Sequence, residues 1–188
     1  MNRIVSSESE DLILVDQDDV EIGTLSKARC HDGDGVLHRA FSLFIFNSQG
    51  ELLLQQRSVE KRLWPLFWSN SCCSHPRQGE TMQAAIGRRL DEELGITTTL
   101  EFVYKFDYQA RYSDLGSENE LCSVFLGRSD QPVQANQSEI AASRFISVDD
   151  LQAELTQSGD RFTPWFRMEW ERLGSEFAAQ FARYTGNV

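Results

Sequence analysis

Apolar positions along this chain recur with two different periods, and the places where the period changes mark its elements. From Asp11 to Gly23 the run DLILVDQDDVEIG reads as a short strand, a polar turn and a second extended piece. SKARCHDGDGVLHRA follows, and its two glycines and two aspartates make HDGDG a loop. AFSLFIFN is apolar on both faces, NSQG turns the chain, and ELLLQQR continues as the partner strand, so a hairpin with a buried first strand is predicted. RSVEKRLWPLFWSN has no regular period and is predicted as a long loop anchored by two tryptophans around Pro65.

Helical spacing takes over at Thr81. Met82, Ile86 and Leu90 recur on one face of a helix predicted from Thr81 to Leu94, which ends at Gly95, where a left-handed cap is easiest. Arg88 and Glu92, like Arg89 and Glu93, stand four residues apart on it, so each Arg can hold a Glu. Leu100, Phe102, Tyr104, Phe106 and Tyr108 then alternate with polar neighbours, the period of a half-buried strand. After the turn RYSDLGS, ENELCSVFL is a strand that puts Glu118, Glu120, Cys122 and Val124 on one face. RFISV is a short strand, Ser147 with Asp150 opens a helix through Leu155, and Thr163-Pro164 opens a last helix carrying Phe166, Trp170, Leu173, Phe177, Phe181 and Tyr184 at intervals of three or four. With no repeat or linker, residues 1–188 are expected to form one domain.

Composition narrows the class. The 188 residues are 40% hydrophobic, enough for a substantial core. A formal net charge of −11 opposes the basic surface that nucleic-acid binding requires, and no apolar run approaches a membrane span. The N-terminus lacks the pattern of a secretory signal, and four scattered cysteines make no disulfide framework, so a cytoplasmic protein with free thiols is expected. Any anionic ligand must be met by local charge and cations.

The histidines are His31, His38 and His75, each in or beside a loop near a strand end. With the same-face pair Glu118 and Glu120 they would make an N and O ligand set suited to Zn²⁺, Mn²⁺ or Mg²⁺. Taken singly, each is equally an ordinary hydrogen-bonded histidine. Cys73 has two readings as well: a buried hydrophobe, or, in a polar turn ahead of a helix with His75 adjacent, a thiol in a setting that favours the thiolate. Glu92 and Glu93 are either a solvated helix face or carboxylates held by Arg88 and Arg89. Lys27, Arg57, Lys61 and Arg89 each flank one of these segments; with a divalent cation held by Glu93 they would neutralise a diphosphate.

The segment from Ser74 through Glu80, Arg88, Arg89, Leu90, Glu92, Glu93 and Gly95 to Ile96 resembles the Nudix box, with Ser74 in place of its opening Gly and Arg89 in place of a Glu that hydrolytic members use to bind metal. NSxCxHP from Asn70 to Pro76, ENE from Glu118 to Glu120 and H-x6-H from His31 to His38 resemble, more narrowly, the type I isopentenyl-diphosphate delta-isomerases. The resemblance spans nearly the whole chain and implies an α/β fold, a Nudix-type α/β/α sandwich with a mixed central sheet. It implies Cys73 and Glu120 as the catalytic pair, with Tyr108 supporting Glu120 and Trp165 facing a developing cation. It also implies a tight metal site at His31, His38, His75, Glu118 and Glu120, filled by Mn²⁺, Zn²⁺ or Mg²⁺. Glu93 and the main-chain carbonyl of Cys73 would meet a second Mg²⁺ that arrives with the diphosphate, and Lys27, Arg57, Lys61 and Arg89 would contact it. The implied partner is a small allylic or homoallylic diphosphate, handled by a monomer or homodimer in isoprenoid biosynthesis. Glu120 with Tyr108 is expected to protonate the alkene and Cys73 to complete the transfer, an order open to reversal with the direction of the reaction. A Nudix hydrolase acting on a nucleoside diphosphate derivative and a non-catalytic Nudix ligand sensor are the rival readings.

Overall fold

The structure is a computed structural model and describes residues 3–186. Nine strands form one mixed sheet around β3 (His38–Phe46), the strand predicted to be apolar on both faces. Along one edge β3 pairs in parallel with β8 (Gly116–Arg128), from His38 opposite Glu120 to Phe46 opposite Arg128. Its other edge is divided between β1 (Asp11–Val15) at His38, β6 (Cys72–Ser74) at Phe41 to Leu43, and β4 (Leu52–Arg57) at Phe46. β2 (Glu21–Ser26) pairs with β1, β5 (Trp68–Ser69) and β9 (Ile140–Ile146) pair with β4, and β7 (Leu100–Tyr112) pairs with β8.

Alternation along β3 supplies both layers of the core. Phe41, Leu43 and Ile45 face Ala85, Ile86, Leu90 and Leu94 of α2 (Met82–Leu94). Ala40, Phe44 and Phe46 pack with Cys122, Val124 and Leu126 against Trp165, Phe166 and Trp170 of α4 (Pro164–Ser175) and Phe181 of α5 (Ala178–Thr185). α3 (Val148–Ser158) adds Leu151 to this second layer. The architecture is thus the expected α/β/α sandwich. α1 (Lys27–Cys30) is a single turn between β2 and the HDGDG loop.

Thr81 caps α2 by accepting the Ala84 amide, and Gly95 ends it at φ 64°. Other elements depart from the sequence reading. β4 meets β3 only at Phe46 and Leu52, because the Ser71 hydroxyl accepts the Ile45 amide and donates to the Leu53 carbonyl, wedging the two strands apart. A bulge between Phe102 and Tyr104 resets the alternation of β7, so Phe102 is exposed while Tyr104, Phe106 and Tyr108 are buried. α3 runs on to Ser158. The last helix is two: the Glu176 and Phe177 amides both turn back to the Arg172 carbonyl, and the bend leaves Phe177 stacked on Tyr104 at 4.5 Å. Cys73 lies in a short strand, opposite Ser42, and not in a turn.

One close approach fixes the site's first histidine. The Ser117 amide donates to the His31 carbonyl, and Gly116 at φ 146° leaves room for it; a Cβ there would lie 2.1 Å from that oxygen. Gly116→Ala is expected to cost about 2 kcal/mol or more of stability in urea titration. An unchanged midpoint would show that the His31 loop yields freely.

Candidate active site

The parallel register sets His38 beside Glu120, and the antiparallel register of β7 sets Tyr108 opposite the same residue. His31 arrives from the loop docked at Gly116, and His75 from the segment leaving β6. One ligand atom from each of His31, His38, His75, Glu118 and Glu120 lies within 4.8 Å of all the others. Around one ion with bonds of about 2.1 Å, neighbouring ligand atoms stand roughly 3 Å apart and opposite ones about 4.3 Å. The contacts match that spacing: His38 Nε2 to His75 Nε2 is 3.2 Å, and His75 Nε2 to Glu120 Oε1 is 2.8 Å.

Two further observations fit a cation in this cluster. His31 Nε2 and Glu118 Oε2 approach to 2.8 Å, yet both are buried and neither has a hydrogen-bond partner. His38 Nδ1 lies 2.7 Å from the Val36 carbonyl, which makes it the protonated nitrogen and turns the Nε2 lone pair into the cluster. Burial pushes His75 down to about 4, although Glu120 opposes this, and Glu120 is itself held well below the usual carboxylate range against its burial by His38 and His75. Burial also opposes charge on His31, but Glu118 outweighs it and holds the imidazole above its ordinary value. Protons therefore compete with metal more at His31 than at His75.

Cys73 Sγ donates to Asn70 Oδ1 at 2.7 Å and accepts the Trp165 indole N–H at 3.2 Å, with the Ser42 hydroxyl at 3.7 Å. Burial, reinforced by Glu169, pushes its pKa up to about 12. The expectation of a thiolate-favouring turn is thereby corrected: burial at a strand position keeps the proton on sulfur. Cys72, the next residue back, faces the opposite core layer, in contact with Glu93. Tyr108 donates to Glu120 Oε2 at 2.7 Å. Trp165 lies 6.2 Å from the Tyr108 ring, with the Arg57 guanidinium 5.3 Å from its centroid.

Lys27, Arg57, Lys61 and Arg89 line one pocket with Cys73, Tyr108, Glu120 and Trp165. Their donors differ in availability. Lys27 Nζ donates to Ser6 Oγ at 2.7 Å, and Arg57 spends Nε and one terminal nitrogen on the Trp64 and Leu63 carbonyls. Burial, with Lys61 next, lowers Lys27 to about 8. Arg89 is buried and bonds Glu93 Oε1 at 2.9 Å, the Val5 carbonyl at 2.8 Å and Glu139 Oε2 at 3.2 Å. Glu93 stands behind the pocket wall, and the contacts it accepts from Cys72 and Arg89 are all at Oε1, which leaves Oε2 for a cation. Arg88 bonds Glu80 and, as predicted, Glu92.

Sequence reasoning missed the Ser6 and Val5 contacts, Glu139 and Glu169. Glu139 lies in QSEIAA, and nothing in that composition separates it from a solvated acid. Glu169 is fully buried on α4, faces Cys122 Sγ at 3.6 Å, and is raised to about 8 by burial, with Glu120 adding to the shift. Its place on the apolar face of a helix, between Phe166 and Trp170, was the available signal.

The NUDIX domain family model matches residues 36–166. Isopentenyl-diphosphate Delta-isomerase 1 of Photorhabdus laumondii is 45% identical, covering 86% of this chain and 93% of its own length. The isopentenyl-diphosphate Delta-isomerase of Serratia proteamaculans is 43% identical, covering 93% of this chain and 97% of its own. The chain belongs to the Nudix family and, within it, to the isopentenyl-diphosphate Delta-isomerases. Among solved structures, DR0079 from Deinococcus radiodurans superposes with a TM-score of 0.65 at 24% identity, covering 79% of this chain and 90% of its own. MutT from Methanosarcina mazei superposes at 0.62 and 21%, covering 74% and 94%; both share the fold. No helix of the described residues is long and apolar enough to cross a membrane.

The protein is expected to bind about one divalent ion per chain, counted by elemental analysis, and affinity should fall as pH is lowered through the histidine range. His38→Ala should weaken binding about 10- to 100-fold. Undiminished metal content in that variant would mean that the cluster is not the site.

Proposed function

We propose that the chain, acting as a single catalytic domain, interconverts isopentenyl and dimethylallyl diphosphate in isoprenoid biosynthesis. Protonation of the alkene gives a tertiary carbocation, and loss of a proton from the neighbouring carbon gives the isomer. The observation that carries this reading is the placement of one sulfur and one histidine-bonded carboxylate in a single pocket with four cations. The two proton-handling groups come from strands on opposite edges of β3, Cys73 from β6 and Glu120 from β8. A flat five-carbon tail between them would be met on both faces.

Cys73 carries a proton and Glu120 is ionised, so in this state sulfur has the proton to give and the carboxylate the vacancy to take one. One member of the pair thus starts protonated and the other ionised, and which of them protonates the alkene follows the direction of the reaction. Tyr108 keeps its phenol proton, because burial and Glu120 both raise it, and so orients Glu120 Oε2 as a donor. A divalent ion, Mn²⁺, Zn²⁺ or Mg²⁺, held by the five-residue cluster would keep Glu120 ionised and fix its other oxygen. Mg²⁺ brought by the diphosphate would take Glu93 Oε2 and the Cys73 carbonyl and neutralise phosphate charge. Lys27, Arg57, Lys61 and Arg89 bind the diphosphate in this reading. Trp165 offers the carbocation a π face worth about 0.5 to 2 kcal/mol, and with Tyr108 and Leu63 it excludes water. The buried Arg89, bonded to Glu93 and Glu139, stands where a hydrolase needs another metal-binding acid, which argues against diphosphate cleavage. The protein acts away from membranes, in the cytoplasm, as a monomer or homodimer.

Cys73→Ala and Glu120→Gln should each lower kcat about 10²- to 10⁴-fold while the fold persists. Isopentenyl diphosphate incubated with wild-type protein and Mg²⁺ in heavy water should yield deuterated dimethylallyl diphosphate. Normal turnover by Cys73→Ala would remove the thiol from the mechanism.

Lys27 is charged below about pH 8 and loses its proton as pH rises through that value. KM for the diphosphate is therefore expected to rise on the alkaline side, read from initial rates across pH. Lys27→Met should show a high KM with that limb abolished; an unchanged limb would place Lys27 outside the binding set.

A further inference from the structure

Glu139 is an acid that the proposed reaction does not use. It is buried immediately before β9, beside a cleft it shares with Lys27 and Lys61, and its side chain touches two of the four cations at once. Lys61 Nζ bonds its Oε2, and the Arg89 guanidinium reaches the same oxygen at 3.2 Å. Its main chain reaches toward the same two segments. The Glu139 carbonyl accepts the Ser58 amide at 2.9 Å, and the Lys61 amide closes that turn on the Ser58 carbonyl at 3.2 Å. The Glu139 amide is held in turn by the Asn136 carbonyl, and the Asn136 amide donates to the carbonyl of Glu93 on α2. One residue therefore ties the loop that carries Lys61 to the helix that carries Arg89.

Glu139 does not line the pocket that holds Cys73, whereas Lys61, Arg89 and Lys27 do. It meets Lys61 and Arg89 from outside that pocket, and it lines an adjoining cleft with Lys27 and Lys61. The Lys61 ammonium has three donors, so one acceptor does not exhaust it, whereas the Arg89 guanidinium already bonds Glu93, Val5, Glu92 and Glu139 and offers the pocket its fixed positive charge. Like charges gathered this closely also repel, and a buried carboxylate at their centre offsets the repulsion.

We propose that Glu139 is a positioning residue for diphosphate binding: its buried carboxylate holds Lys61 and Arg89 at a fixed separation before substrate arrives. The proposal rests on the reading of the pocket as a diphosphate site. Lys27 reports on it independently. The charged groups facing Lys27 are Lys61 and Arg89, which lower its pKa, and Glu8 and Glu139, which raise it. Removing the charge at Glu139 should therefore let Lys27 lose its proton at a lower pH, an effect that a purely structural role would not produce.

The test compares wild type with Glu139→Gln, which keeps shape and removes charge. KM for isopentenyl diphosphate should rise about tenfold near neutral pH, since a buried charge-assisted contact is lost, while kcat falls far less. The alkaline rise in KM should begin at a lower pH than in wild type. Calorimetric titration with inorganic pyrophosphate and Mg²⁺ should show the same loss of affinity. Should Glu139→Gln fail to fold, Glu139→Asp is the comparison: its carboxylate leaves the alkaline limb in place but draws Lys61 back, so KM rises severalfold. An unchanged KM and pyrophosphate affinity in the variant that folds, or an equal fall in kcat and kcat/KM, would overturn the proposal. Wild-type protein that binds pyrophosphate but turns over no isopentenyl diphosphate would instead overturn the isomerase reading and leave the pyrophosphate comparison standing.

Discussion

The pairing of β3 with β8 is the constraint on which the rest depends. The strands run parallel, and side chains alternate, so one register decides at once which residues face α4 and which face α2. A slip by one position would send Phe44 and Phe46 to the wrong layer and separate His38 from Glu120 in the same movement. Core packing and site assembly are thus a single choice, driven by the burial of large apolar side chains on both faces of β3.

From that register the chemistry follows by adjacency. β8 brings Glu118 and Glu120 to one side of His38, and β6, held on the other edge, brings Cys73 opposite Ser42. The long β7 places the Tyr108 hydroxyl on Glu120 at this end, and that contact occupies one of the carboxylate's two oxygens. The first residues of the chain close the arrangement from above, since the Val5 carbonyl and the Ser6 hydroxyl accept from Arg89 and Lys27. An acidic protein accommodates an anion because its cations are collected at one place, and buried acids lie directly behind them.

Much of this was legible from residue order. The HDGDG loop, the same-face glutamates, the i,i+4 Arg–Glu pairs and the Thr81 and Gly95 caps all depend on local spacing, and all stand in the structure. Convergence of three histidines from separate segments was not local: residue types and spacing made it one of two readings, and motif resemblance made it the expectation. What escaped was long-range. The Ser71 wedge depends on a hydroxyl 26 and 18 residues from the two groups it bonds, Ile45 and Leu53, and the β7 bulge depends on a partner strand. The protonation of Cys73 could not be read from a polar-looking SNSCCSH, because it is set by burial and then by Glu169, more than ninety residues further on, against the opposing Trp165 N–H. Glu139 was invisible for the same reason.

The adjacent cysteines carry one more consequence. The pleat of β6 sends the Cys72 sulfur into the layer beneath α2 and the Cys73 sulfur toward Trp165, on the other side of the sheet. Neighbours in sequence, they are strangers in space, and no eight-membered disulfide ring can close between them without unpairing the strand. Peroxide reaching the pocket would oxidise a sulfur that its sequence neighbour cannot rescue, so protection against that damage falls to how tightly the pocket is shut.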